Sequence, residues 1–275
     1  MNMKTINDSL NSDDIMNLVE LAISIFVNKT TKVKNDRYKS WEYCYRNFIE
    51  ARQNSSPNYD ILSLHLAFYL ASWGMYRGSS FLLHKDYKIH RPVVEMLLNQ
   101  DYANLAGIDW VKNKQCDDEL HLLGELQNNI NDYYVSVRKD VVIDLKNNEY
   151  VSEILVTKIL MGTLGCAPAY DRYFKLGIKF LNVSTGNFNR NSIEKLLSFY
   201  TLYSDRFEQI RNNLRIDDSG IKYPQMKLID MGFWLIGYAV DACLNRDHVK
   251  NPNKNRNQIL SELTLFSLEE QLHKI

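Results

Sequence analysis

Apolar residues along the chain recur mainly at helical spacing. Ile15, Leu18, Val19, Ala22, Ile25 and Phe26 fall at intervals that line one face of an α-helix. Ser12 precedes them with a side chain able to cap the first turn, and Asp13 and Asp14 suit the positive end of the helix dipole. The same pattern predicts helices around 40–52, 60–73, 92–99, 117–133, 151–162, 169–180, 190–214, 224–245 and 256–272, with Pro92, Ser192 and Pro224 at starts. Only Tyr133 to Leu145 alternates as strands do, with valines at 135, 137, 141 and 142, so at most one short β-hairpin is predicted near 133–145. The expected fold is all-α, a single multi-helix, bundle-like domain over 1–275, because no repeat or glycine–serine linker divides the chain.

Two predicted helices lack an ordinary polar face. Ile61 to Trp73 is apolar almost all round, with His65, Tyr69 and Ser72 on one narrow stripe; Met226 to Leu244 carries Asp230, Trp234, Gly237 and Asp241 in the same way. A helix apolar on most faces is usually buried, and a buried polar group needs a partner. His65 and Asp230 are therefore expected to share an internal polar cluster, unless each stripe is simply its helix's solvent edge.

Chemistry is suggested first by the segment TKILMGTLGCAPAYDRYFKLG, Thr157 to Gly177, where an apolar helix breaks at a glycine–proline turn and delivers Asp171 and Arg172. Lys158 lies on the apolar face of its helix, so its ammonium must snorkel, find a carboxylate or lose its proton. Paired with Asp171 in a cleft, it would have the makings of a nucleophile and an acid–base partner; outside a cleft the same pair would tie two helices together.

The order Thr157, Gly165, Pro168, Asp171 is similar to the catalytic-aspartate segment of the helix-hairpin-helix DNA glycosylases. That resemblance covers 157–171 and implies the aspartate's role for Asp171. The stretch 147–153 holds no glycine hairpin, and the family's lysine has no clear counterpart. The chain as a whole, with its motifs AYDRYF and YPQMKLIDMGFW, resembles an uncharacterised bacterial helical protein family.

A second candidate lies between Ala71 and Arg91. Gly74 and Gly78 bracket Tyr76 and Arg77, presenting an aromatic ring beside a guanidinium. Beyond them His84, Lys85, Lys88, His90 and Arg91 form the densest basic and imidazole cluster in the chain, the interleaving with Tyr87 being of the kind that grips single-stranded nucleic acid or a nucleotide. An ordinary helix end reads the same way.

Composition narrows the classes. With 45% apolar residues the 275-residue chain can bury a sizeable core, and Lys plus Arg balance Asp plus Glu at 33 each, so binding to phosphate must use a local patch. The four cysteines are scattered without a C-x-x-C pair, and the N-terminus MNMKTINDSL lacks the order of a signal peptide; both point to a cytoplasmic protein. No apolar run reaches the ~20 residues of a membrane span. The chain has no H-E-x-x-H, and although His121 and Glu125 stand at i and i+4, no further ligand can be nominated, so no metal is expected; no phosphate-loop or dinucleotide fingerprint names a cofactor. Three readings remain: a nucleic-acid-associated protein of repair or defence type, with DNA or RNA as partner; a non-catalytic module that binds another protein; and a small-molecule enzyme with its pocket near His65 and Asp230.

Overall fold

The computed structural model describes residues 11–33, 35–112, 116–141 and 151–245, together with Ile259 and Leu263. Ten α-helices dominate these residues: α1 (Ser12–Lys32), α2 (Ser40–Ala51), α3 (Tyr59–Ser72), α4 (Arg91–Leu98), α5 (Asp117–Lys139), α6 (Glu153–Thr163), α7 (Arg172–Phe180), α8 (Arg190–Leu202), α9 (Ser204–Asn212) and α10 (Gln225–Asn245). The sole sheet among them is a two-residue ribbon in which β1 (Arg215–Ile216) runs antiparallel to β2 (Ile221–Lys222). The fold is thus all-α. No described helix is long and apolar enough to cross a membrane.

Local chemistry explains where the boundaries depart from the periodicity. Asn11, one residue before the expected cap, closes a capping box on α1: its side chain accepts from the Asp14 N–H at 2.9 Å, and the Asp14 carboxylate accepts from the Asn11 N–H. Asn189 likewise caps α8 by accepting from the Ser192 N–H, so that helix starts before Ser192. The predicted helix 190–214 is two helices, broken at Tyr203. The hairpin expected near 133–145 is displaced by α5, which continues to Lys139 because Ile130, Tyr134 and Val137 bury one helical face; residues 142–145 lie outside the described set, as does most of the helix expected over 256–272.

α10 runs through the core. It packs against α7 on one side and α1 on the other, and most of its residues from Met226 to Val240 are buried. Gly177 and Gly237 let the α7 and α10 backbones touch: a Cβ on Gly237 would lie 1.8 Å from the Tyr173 carbonyl oxygen, and one on Gly177 2.1 Å from that of Phe233. A second neighbourhood joins α2, α3 and α6, with α4 on α3 and α5 on α6. Contrary to its all-round apolar sequence, α3 is not wholly buried: Ile61, Leu64 and Phe68, at i, i+3 and i+7, face solvent, Phe68 being 62% exposed.

Candidate ligand cleft

Between α6 and α7 the chain crosses the core without regular structure. Residues 164–170 are all buried, and backbone groups in such a place must find partners. Side chains supply them. The Ala169 N–H donates to Asp230 Oδ1 at 3.0 Å, and the Tyr170 N–H to Thr157 Oγ1 at 3.0 Å. This fixed segment sets Asp171 as the N-cap of α7, where Oδ1 accepts from the Tyr173 and Phe174 N–H groups at 3.1 Å each. Its other oxygen accepts from Trp234 Nε1 at 3.1 Å and faces Lys158 Nζ at 3.7 Å.

Two buried ion pairs flank Trp73. Lys158, whose side chain is 5% exposed, lies 5.4 Å from the centre of the Trp73 ring and donates to the Trp73 carbonyl at 2.8 Å. On the other side Lys227, only 2% exposed, sits 5.1 Å from the same ring, 4.8 Å from Trp41 and 6.0 Å from Phe26, and donates to Asp230 at 2.7 Å. Desolvation lowers the Lys158 pKa against the pull of Asp171 and Asp230. It raises that of Asp171, the Asp230 charge adding to the effect and Lys158 opposing it.

Lys158 and Asp171 form part of the lining of a cleft of about 950 Å³. The turn after α3, the start of α6, the N-terminus of α7 and one side of α10 frame it, together with Arg37, Tyr38 and Arg138. Its described lining carries five cationic side chains, Arg37, Arg77, Arg138, Lys158 and Arg172, against the single carboxylate of Asp171. Tyr38, Trp73, Tyr76, Phe81, Tyr173, Trp234 and Tyr238 supply aromatic surface, the last two stacked at 5.6 Å. Gly74, at φ +75°, lets Arg77 fold back across it: a Cβ there would lie 3.2 Å from the guanidinium. The Arg77 guanidinium has no hydrogen bond or ion pair among the described residues, whereas Arg172 pairs with Asp241.

The two segments singled out in the sequence thus meet in part. Tyr76 and Arg77 share the cleft with Lys158, Asp171 and Arg172. His84, Lys85, Lys88 and Arg91 do not line it; Arg91 instead pairs with Glu95 across one turn of α4. His90 is fully buried, bonded through Nε2 to the Tyr76 hydroxyl at 2.6 Å and through Nδ1 to that of Tyr134 at 2.5 Å, and burial pulls its pKa down to about 4.

His65 and Asp230 do not form the cluster expected of them. No hydrogen bond or ion pair among the described residues joins them; His65 is half-exposed, with burial and the nearby Arg46 lowering its pKa, and Asp230 is held by Lys227 and the Ala169 N–H. Neither residue lines the cleft. Glu125, paired in the sequence with His121, accepts from the Tyr102 hydroxyl at 2.8 Å. Sequence reasoning passed over Lys227, although it stands three residues before Asp230 on the same helix; Arg37 lies in the polar run Lys29 to Lys39, which could touch phosphates but reads equally as a solvated connector. No protein-family model, curated protein or solved structure matches the chain.

Proposed function

We propose that this is a nucleic-acid-associated protein whose cleft takes a single phosphate-bearing aromatic unit, an unpaired nucleotide of DNA or RNA or a free nucleotide. One observation carries the reading: five cationic side chains and seven aromatic residues line a described cleft whose single carboxylate is already engaged. Cations attract the phosphate, and aromatic faces stack any base without regard to sequence. A volume of about 950 Å³ is at the upper end of the ~300–1,000 Å³ typical of ligand pockets. A duplex, its bases stacked inward, offers no ring to such a wall unless one is extruded.

Lys158 and Asp171 form part of this lining, yet each oxygen of Asp171 and two directions around the Lys158 ammonium are committed to the protein. In this reading the pair holds the wall in place and does not move a proton. The scattered cysteines, none in a disulfide among the described residues, support placement in the reducing cytoplasm.

The test is a titration with fluorescent single- and double-stranded DNA and RNA and with labelled mononucleotides, at about 50 and 200 mM salt. Single-strand or nucleotide binding that weakens with salt is the expected outcome; absence of binding at the lower salt rejects the reading. A second reading, a module that binds another protein, draws on the exposed Ile61, Leu64 and Phe68 stripe of α3.

A further inference from the structure

The hydrogen-bond chain Tyr76–His90–Tyr134 leads from the wall of the cleft into the core, and its ends are unequal. Tyr134 is fully buried, and its hydroxyl makes no hydrogen bond among the described residues except that to His90 Nδ1 at 2.5 Å. Tyr76 is half-exposed and lines the cleft, its hydroxyl 2.6 Å from His90 Nε2. A neutral imidazole donates through one nitrogen and accepts through the other, so only two arrangements exist. If Nδ1 carried the proton it would donate to Tyr134, whose own O–H would then be a buried donor with no acceptor. With the proton on Nε2, Tyr134 donates to Nδ1, Nε2–H donates to the Tyr76 oxygen, and the O–H left over belongs to the residue that reaches the cleft. Stranding one buried hydroxyl weights the two against each other by on the order of tenfold or more.

We infer that His90 is held as the Nε2–H tautomer and that the Tyr76 hydroxyl is thereby set as a hydrogen-bond donor to an acceptor oxygen of the ligand in the cleft, a phosphate oxygen or a base carbonyl. This rests on the nucleotide reading of the cleft for its ligand, but not for its tautomer. His90 stays neutral near pH 7, as the arrangement requires, because burial holds its pKa at about 4. A phenol aimed this way adds a further directional donor to a wall whose charged groups are mostly cations.

The experiment has two arms. In protein labelled with ¹⁵N-histidine, the His90 ring signals, assigned by their absence in His90→Gln, are expected to show protonated Nε2 and bare Nδ1 at neutral pH; the reverse pattern overturns the inference. In Tyr134→Phe a protonated Nδ1 would itself be a buried donor with no acceptor, so the Nε2–H pattern is expected to persist, and a shift of the proton to Nδ1 also counts against the inference. The second arm titrates a labelled nucleoside monophosphate into wild type and Tyr76→Phe. A loss of about tenfold in affinity is expected for one hydrogen bond to a charged or carbonyl acceptor, with the same loss for a single-stranded oligonucleotide. Equal affinity overturns the ligand contact. If the wild type binds neither probe, the nucleotide reading of the cleft falls and takes the ligand contact with it, while the ring signals still decide the tautomer alone.

Discussion

Lys158 and Lys227 are two lysines with nearly the same chemistry and different standing. Each is buried, each lies beside the Trp73 ring, and each has an aspartate: Asp171 at 3.7 Å for Lys158, Asp230 at 2.7 Å for Lys227. The Lys227 pair is sealed among Phe26, Trp41 and Trp73, away from the cleft. Lys158 and Asp171 reach the cleft, and Asp171 is 15% exposed. What separates a strut from a wall of a site is the position of the pair relative to water, more than the identity of the groups. A sealed pair loses heavily when one partner goes, because the survivor is an uncompensated charge; a pair at a cleft can let water take up the loss.

The largest effect should follow from breaking the sealed pair. Asp230→Ala leaves Lys227 alone among aromatic rings and removes the acceptor for the Ala169 N–H, so urea unfolding should report a loss of about 3–5 kcal/mol. A loss under about 1 kcal/mol would mean that water already reaches Lys227.

A buried group behind Tyr76, which lines the cleft, adds to the contrast through pH. His90 is neutral in the fold, its pKa lowered from 6.5 to about 4 by burial between Tyr76 and Tyr134. The unfolded chain takes up this proton first, so the contribution is complete above about pH 6.5 and is lost as pH falls toward 4, amounting to about 3 kcal/mol. Unfolding free energies measured from pH 7 to 4 should therefore drop more steeply for the wild type than for His90→Gln.

Asp171→Ala should cost less than Asp230→Ala, about 2 kcal/mol, because it removes the cap of α7 but leaves Lys158 within reach of solvent. Smallest of all, Lys158→Met should change stability by about 1 kcal/mol or less, since Asp171 keeps two N–H donors and the Trp234 indole. If this variant proves as unstable as Asp230→Ala, the two pairs are equivalent struts and water at the cleft does not set them apart.

How far the sequence foretold this arrangement varies with how local each signal is. The α10 stripe of Asp230, Trp234, Gly237 and Asp241 was plain from spacing, and it is the side that receives the end of the buried crossing and α7: Asp230 holds the Ala169 N–H, Trp234 donates to Asp171, Gly237 meets the Tyr173 carbonyl, and Asp241 pairs with Arg172. Its partner in space was not legible, since periodicity fixes faces and says nothing of which faces meet. His65 was for that reason assigned to Asp230 in place of Lys227. The alternation at Tyr133–Leu145 misled in a related way: Val135 and Val137 fit a strand's period over a few residues, but Val137 with Ile130 and Tyr134 fits a helix's. The basic run 84–91 is contiguous in sequence, yet the 3₁₀ turns at Phe81–His84 and Tyr87–His90 send its members different ways, His90 into the core and Lys88 outward. Asp171 and Lys158 were found together because a turn of a dozen residues limits where the second can go relative to the first.

The most direct test compares two cations that the sequence grouped and the fold separates. Arg77 lines the cleft and Lys88 lies outside it, so single-stranded DNA and RNA should be titrated against the wild type, Arg77→Glu and Lys88→Glu at about 50 mM salt, where electrostatic contacts are strongest. Binding in the cleft entails a loss of at least about tenfold in affinity for Arg77→Glu and a change within about twofold for Lys88→Glu. Equal losses in the two variants, or a larger one in Lys88→Glu, would place binding on the outer surface and contradict it.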